Sequence, residues 1–311
     1  MKKLSLLIVL LPLFVYAQNS STLEVGSFNI EWFPCKDDGE MMKQYGINLR
    51  YPPEGNATDT TALFAMLKEL DIELLGVQEI VDTKLFGDLA KRHLGEQFEF
   101  VYAPGGGDQK VGFLYDSSVL ELVGSAEMYS SVQLSPDSRL RPALRGYFKT
   151  KPDGFDFHAI VLHLKASPRG WDLREQQWKA LEDILSELPE KTGDADVILV
   201  GDMNNVTDRR EEEFMPLMRQ LGYHWASGEA PGLPTNYWQP DWKVQRIQES
   251  AIDHIMVSAD AKVEYVENSV RVGGMCAADS AEYVENFPDY YNNISDHCPV
   301  FATFEVGEDN D

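Results

Sequence analysis

The chain is short of positive charge, of cysteine and of long apolar runs, and each shortage narrows what it can be. It carries 27 Lys and Arg against 51 Asp and Glu, a formal charge of −24. Such a field repels polyanions at long range and argues against tight, salt-sensitive binding of bulk nucleic acid, while leaving room for local contact beneath a few basic side chains. There are three cysteines, Cys35, Cys276 and Cys298, and none has the spacing of a metal site. In an oxidising compartment they allow one disulfide and one free thiol; Cys276 and Cys298 are the nearer pair, which does not fix the connectivity. Beyond the first residues no apolar stretch is long enough for a membrane-spanning helix, so stable membrane insertion is not expected. Gly105, Gly106 and Gly107 lack the strand-to-helix setting and the Lys-Ser/Thr ending of a phosphate-cradling loop, and read as a mobile loop.

What is present suits a globular protein: 311 residues, of which 43% are hydrophobic, can bury a sizeable core. Met1, Lys2 and Lys3, the apolar Leu4 to Val15, and the small-residue pattern ending at Ala17 predict a secretory signal peptide over 1–17. The mature domain would then be 18–311, periplasmic or extracellular, and more acidic still.

Leu63, Met66, Leu67 and Leu70 fall at helical spacing, predicting a helix over Thr58 to Leu70; further helices are expected near Asp82 to Leu94, over Trp171 to Leu188, and around Phe214, Leu217, Met218 and Leu221. Strands are expected at Leu23 to Trp32, Ile72 to Val77, Phe98 to Tyr102, Val111 to Tyr115, Leu120 to Tyr129, Leu144 to Lys149, Phe155 to Leu162, Val197 to Val200, Ile252 to Val257 and Pro299 to Phe304. Pro34 to Gly55, without periodicity, reads as irregular and exposed, and Pro231 to Trp242 as a surface loop that stacks on a base or simply packs.

One event recurs along this alternation. Apolar runs end at Asn29 and Glu31, at Glu79, at His163 and at Asp202 with Asn204, while two others begin beside Asp253 and beside Asp296 and His297. Neighbouring antiparallel strands place the end of one beside the start of the next, so all six can share a rim.

Taken in order, Phe28-Asn29-Ile30, Gln78-Glu79, His163, Gly201-Asp202-Met203-Asn204, Ile252-Asp253-His254 and Ser295-Asp296-His297 resemble the endonuclease/exonuclease/phosphatase superfamily, the group of pancreatic deoxyribonuclease. The resemblance implies an α+β fold, a four-layer α/β/β/α sandwich of two mixed β-sheets covered by helices, and phosphoester hydrolysis assisted by Mg²⁺, with Mn²⁺ as a substitute and a structural Ca²⁺ in some members. It implies Glu79 as the first metal ligand, with Asn29, Asp296 and Glu31 beside it. Asp202 is the expected base, Asn204 its orienting and phosphate-binding partner, and His297 the donor to the phosphoryl oxygen, fixed by Asp253. His163 matches the second catalytic His of the deoxyribonuclease and sphingomyelinase branches. Arg141, preferred to Arg139, and Lys165 are the expected substrate contacts.

The expected activity is an exported phosphodiesterase, endonuclease-like, acting as a monomer on DNA or RNA with no protein partner. A phosphatase or lipid phosphodiesterase, for an inositol phosphate or sphingomyelin, is the rival that the acidic surface favours. A catalytically dead binding module is the rival outside the enzymes, and the complete set of site residues weighs against it.

Overall fold

The computed structural model describes residues 22–50, 56–152, 154–205, 218–230, 232–241, 243–244, 246–277 and 287–307. The expected signal peptide and most of the helix expected around Phe214 to Leu221 lie outside them.

Two mixed sheets stack face to face. The first runs Arg271–Val272 (β14), Val300–Glu305 (β15), Thr22–Phe33 (β1), Leu74–Ile80 (β2), Lys110–Asp116 (β4) and Phe98–Tyr102 (β3). The second runs His224–Trp225 (β10), Asp253–Val257 (β13), Val197–Asp202 (β9), Asp156–His163 (β8) and Ala143–Thr150 (β7), with Leu120–Leu122 (β5) and Glu127–Tyr129 (β6) both pairing β7. Asn236–Trp238 (β11) and Gln248–Ser250 (β12) form a separate pair.

Alternation explains the layering. In β9, Ile198 and Val200 face the core between the sheets, whereas Val197 and Leu199 face the helix Trp171–Thr192 (α4) through Trp178, Leu181, Leu185 and Leu188. An unbroken apolar run is what a strand covered on both faces requires. The outer face of the first sheet is covered by Thr60–Leu70 (α2) and Thr83–Leu94 (α3), which bury Leu63, Phe64, Leu67, Phe86 and Leu89 against Phe28, Ile30 and Val77. Both helices are capped by an Asp, with Asp59 accepting from Ala62 N (3.0 Å) and Asp82 from Leu85 N (2.8 Å). The result is the four-layer α/β/β/α sandwich. Its sheets approach closely at Gly76 of β2, where a Cβ would lie 2.6 Å from Val200 Cγ2.

Three expectations need correction. The segment after Pro34 is not simply irregular and exposed: it contains a short helix, Gly39–Gln44 (α1), and buries Cys35, Met42 and Ile47 as a small core of their own. Those positions follow neither a helical nor a strand period, because the chain folds back on itself between them. Leu120 to Tyr129 is two short strands, interrupted where Gly124 takes a left-handed φ of 77°. Within the presumed surface loop at 231–242, Tyr237 is buried on β11. The cysteine question is resolved: Cys276 and Cys298 form a disulfide and Cys35 is a buried thiol.

His158 on β8 is 2% exposed, with Arg145 Nη1 3.3 Å from its Nδ1, Asp194 Oδ2 3.8 Å from its Nε2, and the Tyr147 ring against it. Burial, then Arg145, push its pKa down from 6.5 to about 4, with Asp156 opposing. The unfolded chain therefore binds the extra proton first, so stability is full above about pH 6.5 and falls as pH drops toward 4. Denaturant unfolding at pH 7.5 and 5 should show His158→Gln losing less stability than the wild type on acidification, by about 1–2 kcal/mol. Equal losses would show that His158 does not take up the proton.

Candidate active site

The strand ends converge because the registers demand it. Parallel pairing sets His163 beside Asp202, antiparallel pairing sets Asp253 beside Asp202, and β1 runs parallel to β2 with Asn29 against Gln78, one residue before Glu79. Gly201 makes the first of these possible: at its φ of 155° a Cβ would sit 2.2 Å from Leu162 O. Gly201→Ala must therefore push β8 from β9 and separate His163 from Asp202. Stability should fall by about 2 kcal/mol and kcat by tenfold or more, read from denaturant unfolding and single-turnover rates.

Asp202, 2% exposed, is the hub. Its Oδ2 accepts from Asn29 Nδ2 (3.1 Å) and lies 3.3 Å from His163 Nε2 and 3.9 Å from His297 Nε2, while its Oδ1 accepts from Asn204 N (2.9 Å). His297 Nδ1 is 2.9 Å from Asp253 Oδ2, and that oxygen also accepts from Thr235 Oγ1 (2.8 Å). Asp253 thus fixes the ring with Nε2 toward the site. Ser295 Oγ donates to Asn29 O (2.8 Å) and accepts from His297 N (3.0 Å), so the segment leading into β15 is tied to β1. Glu79 and Asn204 both hold left-handed backbone, at φ 63° and 51°, which turns their side chains out of the strand path.

These residues open on a cleft of about 380 Å³ whose walls include Glu31, Glu79, Asp296, Arg174, Trp32 and Trp238. Its two histidines are driven apart. Burial, then Arg141 and His297, push His163 well below its ordinary pKa, so it is neutral. Burial also opposes charge on His297, but Asp253 and Asp296 outweigh it and hold that imidazole well above its ordinary value. Burial pushes Asp202 up to about 7, with His297 opposing.

A family model described as Endonuclease/Exonuclease/phosphatase family matches residues 26–297. The chain belongs to that family.

Solved structures of the same fold include a family protein from Bacteroides thetaiotaomicron (19% identity, 91% of this chain and 98% of that one, TM-score 0.59). A mannosyl-6-phosphatase from B. thetaiotaomicron VPI-5482 matches at 19% identity over 92% and 99%, with a TM-score of 0.58. D. rerio TDP2, complexed with a single-strand DNA product, matches at 16% identity over 91% and 99%, with a TM-score of 0.63. No curated protein matches the sequence. Family members are phosphoric ester hydrolases, and this chain is one of them.

The family's enzymes are metal-dependent, and the side chains here fit a hard divalent cation. Glu79 and Asp296 bring carboxylate oxygens to one cleft, and burial and then, beyond the relief given by Arg141, the charge of Asp296 disfavour the ionised Glu79. These two would hold the ion, which when bound would polarise a phosphoryl oxygen. Ligand atoms of Asp202, Asp253 and His297 also lie within 4.8 Å of one another. The hydrogen bond between His297 and Asp253 accounts for that closeness, and it leaves a single nitrogen facing Asp202.

Two of the expected metal ligands are otherwise engaged. Asn29 turns its amide nitrogen to Glu79 Oε1 (3.3 Å) and Asp202, and its oxygen accepts from Glu31 N (3.0 Å), so it bridges the carboxylates as a donor. Glu31 Oε2 accepts from Asp296 N (2.9 Å) and pairs with Lys36 Nζ (2.5 Å). Of the two candidate arginines, Arg139 pairs with Asp108 at the surface, while Arg141 is 8% exposed, donates to Leu164 O (2.9 Å) and acts electrostatically on Glu79 and His163. Lys165 stands beside the cleft and turns its Nζ to Ala166 O; burial and then Arg141 and Arg174 push its pKa down, marking a local basic cluster within an acidic protein. Asn204 Nδ2 donates to Leu164 O (3.3 Å) at the cleft wall. Trp32 and Lys36 were not legible as site residues in the sequence: Trp32 closes the expected first strand as an apolar residue, and Lys36 lies beyond it.

Proposed function

We propose that the protein is an exported, Mg²⁺-dependent phosphodiesterase that hydrolyses DNA or RNA by in-line attack of water. The observation that carries this is the placement of two buried histidines 3.3 and 3.9 Å from Asp202 Oδ2, His163 in surroundings that disfavour its charge and His297 in surroundings that favour it. Hydrolysis of a diester requires a water to lose a proton while charge builds on the phosphoryl and leaving oxygens, and groups of opposite proton demand in one cleft meet both needs.

Asp202, steadied by Asn29 and Asn204, accepts the proton of the attacking water. Asn204 contacts the phosphate from the cleft wall, the buried Arg141 attracts it through its charge, and His163 offers the site a neutral N–H. His297 donates to the phosphoryl oxygen as charge develops, and Asp253 keeps its Nε2 aimed there. The basic cluster of Arg141, Lys165 and Arg174 supplies the local attraction that the overall charge denies. Export is supported by the basic and apolar N-terminus ending at Ala17 and by the Cys276–Cys298 disulfide, which belongs in an oxidising compartment.

A second reading, a phosphatase acting on a sugar or lipid phosphate, is favoured by the charge of −24 and by a small cleft flanked by Trp32 and Trp238. The test is cleavage of supercoiled plasmid and single-stranded RNA with Mg²⁺, against EDTA and Asp202→Ala, beside sugar phosphates, inositol phosphates and sphingomyelin. Nucleic-acid cleavage lost in both controls supports the first reading. Phosphate release from the small substrates alone overturns it in favour of the second.

A further inference from the structure

Lys36 is fully buried, at 0% exposure, beside a site that the family uses for a divalent cation. A buried ammonium is costly unless paired, and this one is paired closely: Nζ lies 2.5 Å from Glu31 Oε2 and 3.0 Å from Asp37 Oδ2, and 5.4 Å from the centre of the Tyr291 ring. The same Glu31 oxygen accepts the backbone N–H of Asp296 at 2.9 Å. Glu31 and Trp32, near the end of β1, hold left-handed φ values of 36° and 55°, and Lys36 follows at 43°. That irregular backbone folds the chain after Asn29 back so that Lys36 reaches Glu31 from behind the cleft.

We propose that Lys36 is a built-in countercharge that withholds Glu31 from the metal, so that Glu31 serves as a positioning residue for Asp296 and the site takes one divalent cation. The inference rests on the metal-dependent reading of the site. Lys36 reaches Oε2, the oxygen already committed to Asp296 N. The chain of contacts Lys36, Glu31, Asp296 N then carries a fixed positive charge to the back of the metal site, where a second ion would otherwise be attracted by two acidic side chains. Asp37 and Tyr291 complete the cage, which makes Lys36 a permanent part of the site.

Calorimetric titration of the metal-stripped mature protein with Mg²⁺ tests this without reference to turnover. Glu31→Gln in the wild-type background should change Mg²⁺ affinity by less than about threefold, since its carboxylate is not a ligand. Lys36→Met should tighten Mg²⁺ by about tenfold or admit a second equivalent, because the freed carboxylate becomes available. Adding Glu31→Gln to Lys36→Met should cancel that gain, a non-additivity that a purely structural lysine does not produce. Should Lys36→Met not fold, the double variant Lys36→Met/Glu31→Gln, which leaves only the partly exposed Asp37 without its cation, and the single Glu31→Gln still decide. A loss of tenfold or more in Glu31→Gln overturns the proposal, as does a double variant that binds Mg²⁺ tenfold tighter than wild type. Wild-type binding with an unchanged Lys36→Met overturns the inference alone, whereas a wild type that binds no Mg²⁺ overturns the metal reading with it.

Discussion

Replacing Asp202 with Asn is expected to lower kcat about a thousandfold while leaving the fold intact. Asn keeps the shape and one of the two acceptances, from Asn29 Nδ2 or from Asn204 N, while its NH₂ meets the other donor, and it cannot take a proton from water. The effect on stability should run the other way. Burial holds the Asp202 carboxyl at about 7 against an ordinary 3.8. Between those values the folded protein keeps a proton that the unfolded chain has released, so stability falls as pH rises through the window. Asn removes that penalty at the cost of one hydrogen bond, so the metal-free variant should gain Tm relative to the wild type as pH rises from 4 to 7.5. Lost activity with lowered Tm and a disturbed circular dichroism spectrum would instead mean that Asp202 holds the rim together structurally.

Glu79→Gln should be nearly as damaging for a different reason. Its Oε2 accepts the Trp32 N–H (3.1 Å) and its Oε1 accepts from Asn29 Nδ2 (3.3 Å), so the amide keeps the shape and one of these bonds but loses the charge that attracts a cation. Mg²⁺ affinity should fall by about a hundredfold or more, with kcat/KM falling comparably at limiting metal and partly recovering in excess. Asp202→Asn, by contrast, should bind Mg²⁺ nearly as the wild type does. Parallel titrations of activity and of binding heat separate the two roles; wild-type affinity in Glu79→Gln would remove Glu79 from the metal site.

The rim was legible because strand ends announce themselves. Val197 to Val200 stopping at Gly201 fixes where Asp202 emerges, and the same logic holds for Glu79, His163, Asp253 and Asp296. Pattern does not say which atom of a side chain faces which neighbour. Asn29 was therefore read as a ligand, although its amide oxygen is taken by Glu31 N and its nitrogen bridges two carboxylates. Arg141 is preferred to Arg139 in the sequence, but its burial is not visible there: the two sit two residues apart, and the fold turns one to Asp108 and buries the other against Leu164 O. Lys36 was invisible for a deeper reason. A lysine followed by Asp37 and Asp38 in a segment rich in charge looks solvated, and only the closure of Cys35, Met42 and Ile47 into a small core draws it inside.

No continuous stretch of chain contains this site. Asn29 meets Asp202 across 173 residues, and Ser295 meets Asn29 across 266. Contacts of such sequence separation form only after the large loops between them have closed, so the site should be among the later features to assemble. A nascent or unfolded chain therefore carries every reactive group and no activity. A phosphoric ester hydrolase built this way stays silent until the final strand docks, and a chain cut short before Ser295 stays inert however well its helices form.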